Sequence, residues 1–325
     1  MAGGRNRSPP SGTEIVMTMN ASGTPETENL RVGVDVGGTK IEAVLTDAAG
    51  TVLASARKAA RKGGDEVVED AVAIVRQVAG MRFDEVRSVG IGIPGLVHRD
   101  TGRVENVVNL GIENLELGGR ASGMLGLPVW VDNDVNAAAL GAYGTLPDRL
   151  KHGRMAFVNL GTGLAAGFVR AGLVERGDTG ALGEIGHLPV DPNRMACKCG
   201  QRGYLETACS GGGLRRMWPV ADPPLPDILA RADGGDGEAE RVLGIALHAL
   251  ADVVQIVAQA ADPSVIVIGG GVSRAGSPLL DALRGELRNR EASSGFIAGL
   301  RLTERLRLAD ASIPIGALGA SLIAC

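Results

Sequence analysis

The sequence predicts an α/β protein built from two similar lobes, and three observations carry that expectation. The chain has 325 residues, more than one compact core usually holds. From residue 30 onward, apolar runs of strand type alternate with stretches of helical spacing. An apolar strand, a polar residue, a turn containing Gly and Thr, and a second apolar strand occur at residues 30–45 and recur at 155–169. The polar residue is Asp35 in the first copy and Asn159 in the second.

Taken in order, residues 1–29 are polar and rich in Gly, Ser, Pro and Thr, the composition of a disordered tail. Residues 30–36, 41–45 and 51–56 then form a meander of strands with turns at 37–40 and 47–50. Residues 67–78 place Val67, Val68, Ala71, Ile74, Val75 and Val78 on one helical face. Strand 86–93, helix 117–125 and strand 128–131 follow, and a helix begins near Asp134. The second lobe repeats the hairpin at 155–160 and 164–169, then adds a helix at 249–260, a strand at 265–268 and a helix at about 278–288. A Gly- and Ala-rich helix at 315–323 is expected to pack back on the first lobe. The domains are therefore placed at 30–138 with 312–325, and at 139–311.

Composition narrows the function. Hydrophobic residues at 45% and charged residues at 22% fit a soluble globular protein. Aromatics at 2% beside 49 glycines require an aliphatic core and many close backbone approaches. A net charge of -4 gives no basic footprint for nucleic acid. Four cysteines do not make a disulfide framework in a chain this long, and Cys197 and Cys199 are too close for an easy bridge. No apolar run reaches the roughly 18 residues that span a bilayer, so a cytoplasmic protein without a membrane partner is expected.

Two kinds of local pattern point to chemistry. At 129–140 an apolar run leads into Asp132, Asn133, Asp134 and Asn136 and then into Ala and Leu, which places carboxylates and amides where a strand hands over to a helix N-terminus. A catalytic cluster and simple helix capping both fit that pattern. The turn Asp35–Lys40 brings two glycines, a Thr hydroxyl and a Lys to one place, a phosphate cradle, or else an ordinary Gly-Gly hairpin. Asp35 beside such a cradle suits a ligand to Mg²⁺ or to its water. Gly161–Thr162–Gly163 repeats the cradle, and Gly269–Gly270–Gly271 after a strand fits a third ligand contact, the adenosine.

The motifs DVGGTK, GIGIPG, VDNDVNAAALG, NLGTGLAAG, GALGEIGH, CKCGQRG and VIVIGGG, in this order, resemble the ROK family of sugar kinases and related repressors within the actin-like ATPase superfamily. The resemblance covers nearly all of the chain from Leu30. It implies a two-lobed actin-like ATPase (ribonuclease H-like) fold, mixed sheets flanked by helices, closing on a sugar and MgATP. The implied reaction moves the γ-phosphoryl group to a sugar hydroxyl, commonly O6. By the same resemblance, Asp35, Gly37, Gly38, Thr39 and Lys40 form the first phosphate motif, Gly161, Thr162 and Gly163 the second, and Gly269, Gly270 and Gly271 the adenosine motif. Asp134 is the implied general base and Asn133 its sugar-binding neighbour. Glu184, His187 and Glu206 are further sugar contacts, and Gly95 and Asn109 also lie along the sugar. Families of this kind are usually homodimers or higher homo-oligomers.

Three departures qualify the substrate. The family's structural zinc takes a His and three Cys; here His187, Cys197 and Cys199 match, but Tyr204 holds the position of the third Cys. Cys209 or water is then the candidate fourth ligand, with two free thiols as the metal-free alternative. Ala142 stands where an acidic residue is common, and Ile112 where an aromatic is common. Glucose leads as acceptor, with mannose and amino or N-acetylamino hexoses behind it. A sugar-responsive regulator and a catalytically silent sugar-binding protein are the other classes in play. The retained Asp134 and the lack of room for a DNA-binding domain in the tail weigh against the regulator.

Overall fold

The computed structural model describes residues 16–17 and 29–324. The tail expected over 1–29 lies outside the described residues, apart from the short strand β1 (Val16–Met17) and Asn29. The chain divides into two compact units. One ends at Asp134 and regains the chain from Ala320; the other is Val135–Gly319.

In the first unit, β2 (Leu30–Val36), β3 (Lys40–Thr46) and β4 (Val52–Ala59) form the antiparallel meander, followed by α1 (Gly64–Ala79) and β5 (Val86–Ile93). Three short strands, β6 (Leu96–His98), β7 (Arg103–Val107) and β8 (Ile112–Leu115), make a small separate sheet. They precede α2 (Leu117–Leu125) and β9 (Val129–Asn133). The main sheet runs β1-β4-β3-β2-β5-β9, with β2, β5 and β9 mutually parallel. Strand alternation sorts its faces: Val32, Val34, Ile41, Ala43, Ile91 and Val131 share one aliphatic core with Val67, Ala71, Ile74 and Val75 of α1. On the opposite face, Gly90 lies against the C-terminal segment. A Cβ there would stand 1.8 Å from the Ala320 carbonyl oxygen, while the Ser88 hydroxyl donates to the Ala324 carbonyl at 2.9 Å.

The second unit begins within α3 (Asp134–Thr145) and builds the sheet β12-β11-β10-β13-β14 from β10 (Arg154–Leu160), β11 (Leu164–Arg170), β12 (Leu173–Glu175), β13 (Val265–Gly269) and β14 (Leu306–Leu308). The repeat read from the sequence is structural. An antiparallel hairpin, β2–β3 or β10–β11, stands in each unit beside a parallel strand, β5 or β13. Helices α4 (Leu205–Cys209), α5 (Gly211–Met217), α6 (Pro224–Asp233) and α7 (Gly237–Ala261) follow β12, and α8 (Ser277–Ser293), α9 (Gly295–Leu300) and α10 (Leu302–Arg305) lead to β14. The last helix, α11 (Ile315–Ile323), crosses from the second unit to the first.

Three expectations change. Strand β9 runs two residues beyond 131, so Asp132 and Asn133 belong to the strand and the helix opens on Asp134 itself. Helix α7 starts at Gly237 rather than 249, because Asp236 caps it, accepting from the amides of Glu238 and Ala239, and its polar first turns hide it from apolar periodicity. At 25 residues α7 is also long and apolar enough to cross a membrane, contrary to the reading that no run is. Its length comes from alanines and valines that face protein: Val242, Ala249, Val253, Val254 and Val257 lie in the core of the second unit.

Replacing Gly90 by Ala should destabilise the protein by about 3 kcal/mol, seen in chemical denaturation, because backbone rather than a movable side chain occupies the Cβ position. An unchanged midpoint would mean that the C-terminal segment does not seat there.

Candidate active site

The C-terminal ends of parallel strands gather ligands in α/β sheets, and in the first unit those ends carry the acidic residues. Asp35 pairs in register with Glu42 on β3 and with Gly92 on β5, and Gly92 pairs with Asp132 on β9. Partners in register point to the same side of a sheet, so one row holds three carboxylates. Asp134 starts α3 just beyond it. Asp35 keeps some accessible surface, but its carboxyl is enclosed by protein. Burial, then the charges of Asp134 and Glu42, push it up to about 7, with Lys40 opposing. Asp132 is buried, with Oδ1 accepting from the Asn133 amide at 2.8 Å and Oδ2 lying 3.5 Å from Nε of Arg99.

The structure joins several of the residues that the resemblance sets along the sugar. The Asn133 side chain donates to the Gly95 carbonyl at 3.2 Å. Gly95 has φ +100, and a Cβ there would stand 2.6 Å from the Glu105 carbonyl oxygen, so the bend needs glycine. In the turn between β2 and β3 the Gly37 amide donates to the Lys40 carbonyl at 2.9 Å, and Gly38 abuts Asn109, whose Cβ is 3.1 Å from the place a Gly38 Cβ would take. Thr39 is exposed at the tip. Lys40 forms an ion pair with Glu42, which also faces Arg57 at 3.8 Å.

In the second unit, Gly161, Thr162 and Gly163 turn between β10 and β11, with the Gly161 amide donating to the Gly163 carbonyl at 3.1 Å. The segment from α4 to α5 grips this turn. The Gly211 and Gly212 amides donate to the Gly161 and Thr162 carbonyls at 2.8 and 3.0 Å, and Glu206 Oε2 accepts from the Leu164 amide at 3.1 Å. Gly269 pairs with Asn159 across β10 and β13, and Gly270 has φ +87 and touches Asn159 and Leu160. Gly271 and the Gly161–Thr162 turn line a single cavity of about 230 Å³. Its other walls include Pro223 to Pro226, Leu214 and Val272, with Arg215 and Arg274 as its cations. Two of the glycine motifs thus meet in one place, shaped for an apolar ring beside an anion.

Glu184 and His187 stand on a short helical turn that Gly183 and Gly186 dock onto β11; Cβ atoms there would come within 1.8 Å of the Ala166 carbonyl oxygen and 2.1 Å of that of Leu164. His187 Nδ1 lies 3.6 Å from Glu184 Oε2, and its ring meets Tyr204 edge-on with centroids 4.9 Å apart. The zinc set implied by the resemblance is rearranged. The donors that converge within 4.8 Å of one another are His187, Cys197 and Glu206. Cys199 is not among these converging donors, and its thiol is lowered chiefly by the Gln201 backbone, then by Cys197 and Tyr204. Cys209, the candidate fourth ligand, is buried and donates to the Leu205 carbonyl at 3.4 Å, its thiol raised by burial and by the charges of Asp191 and Glu206, and it is not among the converging donors. One imidazole, one thiolate and one carboxylate make three of the four donors that zinc takes.

Sequence reasoning missed Glu42, Arg215, Arg274 and the Pro223–Pro226 wall. Glu42 stood in plain view two residues after Lys40, on the same side of its strand, but only the register with β2 sets it against Asp35. The cavity wall comes from segments with no motif of their own.

The profile of the ROK family matches residues 31–324. A glucokinase from Halalkalibacterium halodurans is 34% identical over 277 residues, covering 78% of this chain and 83% of its own. An N-acetylmannosamine kinase from Salmonella typhimurium is 30% identical over 251 residues, 75% of this chain and 84% of its own. The crystal structure of a ROK family glucokinase from Streptomyces griseus in complex with glucose and AMPPNP superposes with a TM-score of 0.73 at 28% identity, covering 91% of this chain and 99% of that one.

The Asp35 carboxyl gives a pH test. Its folded pKa of about 7 lies above the ordinary 3.8, so the folded state holds this proton more tightly than the unfolded chain. The resulting stability is complete below the unfolded value and is lost as pH rises through about 7. Asp35→Asn should therefore melt roughly 5 °C above wild type at alkaline pH, with the gap closing towards the ordinary carboxylate range. Parallel melting curves across the whole range would show that Asp35 is not held in this way.

Proposed function

The chain belongs to the ROK family and is a sugar kinase, a phosphotransferase, and on that premise we propose that it moves the γ-phosphoryl group of MgATP to a hexose hydroxyl with Asp134 as general base. Its fold is the actin-like ATPase fold. The observation that carries the reading is the setting of Asp134. It opens α3 directly after Asn133, and its charge acts on Asp35, the acidic residue of the first phosphate hairpin.

In the proposed reaction the acceptor hydroxyl oxygen bonds to the γ-phosphorus as the bond to the β-phosphate oxygen breaks, ADP leaves, and Asp134 takes the hydroxyl proton. Phosphoryl transfer depends on alignment and charge neutralisation more than on base strength, so an ordinary carboxylate is sufficient. Asn133, Gly95, Asn109, Glu184 and His187 are the proposed sugar contacts, with Glu206 the sixth that the resemblance implies. Gly37, Gly38, Thr39 and Lys40 are assigned to phosphate, as are Gly161, Thr162 and Gly163, while Gly269, Gly270 and Gly271 with the adjoining cavity are assigned to adenosine. Asp35 fits a Mg²⁺ partner, since burial and the neighbouring carboxylates make its charged form costly and a bound cation would stabilise that form in place of the proton. Bound Mg²⁺ would neutralise charge on the transferring phosphates. No step is assigned to zinc. Glucose is the first acceptor to propose and N-acetylated or amino hexoses the next, because the relatives include kinases of both kinds.

Asp134→Asn should lower kcat by about a thousandfold while the sugar dissociation constant, measured by calorimetry, changes little. Retention of more than about a tenth of the turnover would assign the proton to another group. Asp35→Ala should raise KM for MgATP at nearly constant KM for sugar, and the reverse pattern would move Asp35 to the sugar side.

A further inference from the structure

We infer that Glu206 is a positioning residue for the donor side of the site, holding the Gly161–Gly163 turn in its phosphate-binding shape. The inference rests on the kinase reading above and gives Glu206 a second task beside the sugar contact that the resemblance implies. Three features of the second unit support it. Glu206 Oε2 accepts the Leu164 amide at 3.1 Å, the first backbone group after the turn. The same oxygen lies 2.7 Å from the place a Gly163 Cβ would occupy, so the carboxylate is seated against the backbone of the turn itself. The bond also belongs to a larger grip, in which the Gly211 and Gly212 amides take the Gly161 and Thr162 carbonyls from the far end of the same segment.

The physical consequence is a matter of where the turn's amides point. A cradle binds phosphate through backbone N–H groups held ready in one orientation. The Gly211 and Gly212 bonds fix carbonyls on the outer side of the turn, and Glu206 fixes the peptide where the turn rejoins β11. Removing the carboxylate leaves the Leu164 amide to find water and frees the glycine-rich peptide between those anchors. Donor atoms of His187 and Cys197 lie within 4.8 Å of this carboxylate, which places it beside both the turn of His187 and the cysteine loop.

The two roles separate on substitution, because a Gln side chain keeps an oxygen that accepts from the Leu164 amide whereas Ala does not. Binding of MgAMPPNP alone, by calorimetry on the intact protein, reads the donor side without turnover. Glu206→Ala should weaken MgAMPPNP by about tenfold or more, and Glu206→Gln should stay within about threefold of wild type. MgAMPPNP binding unchanged in Glu206→Ala would overturn the inference, as would a Gln variant as weak as the Ala variant. If Glu206→Ala does not fold, hydrogen exchange of the wild-type Leu164 amide decides: strong protection supports the bond, and exchange as fast as that of an exposed turn amide overturns it. Wild-type protein that binds no MgAMPPNP would instead remove the kinase reading, and this inference with it.

Discussion

Like charges held close together are costly unless something arrives to neutralise them, and the first unit is organised around such a cost. Register in the β-sheet sets Glu42 opposite Asp35, and Asp134 follows at the start of α3. Burial and these neighbours push the Asp35 carboxyl up to about 7. The sheet can impose this because its other face is a closed aliphatic core that fixes strand register. A slip of one residue would turn Val32, Val34, Ile41 and Ala43 outward. The stability of the core therefore maintains an unfavourable electrostatic arrangement, and a divalent cation with a polyphosphate is the chemistry that would relieve it.

The second unit solves a different problem with the same hairpin. Its polar residue is Asn159 rather than an acid, and its turn is gripped from outside by the segment from α4 to α5. Beside it, Gly271, Arg215 and Arg274 line a cavity whose remaining walls are prolines and aliphatic side chains. Within this unit, backbone amides and guanidinium groups therefore stand together beside an apolar wall.

Much of this was legible in the sequence because the relevant signals are local. The strands at 30–36 and 86–93 and the helices at 117–125 and 315–323 end where their apolar runs end. The glycine turns were visible as Gly-Gly and Gly-Thr-Gly runs between apolar strands. What escaped was set by distance along the chain or by short length. Strands β6, β7 and β8 are too brief to show an alternation, and their turns rest on left-handed glycines such as Gly102 and Gly111. The pairing of Glu42 with Asp35 needs register, and the meeting of Gly161 with Gly271 needs a parallel strand pair 110 residues apart in sequence. Tyr204 is visible in the sequence as a departure, but only the structure shows it set edge-on to His187. The donor set that converges instead contains Glu206, a residue first read as a sugar contact.

Direct detection of the product is the sharpest measurement of the account as a whole. Wild-type protein would be incubated with MgATP and, separately, glucose, mannose, N-acetylmannosamine and amino hexoses, and the mixtures followed by phosphorus NMR. The account predicts a sugar phosphate monoester appearing in step with ADP for at least one hexose. Sugar binding without a phosphorylated product from any of them would contradict it.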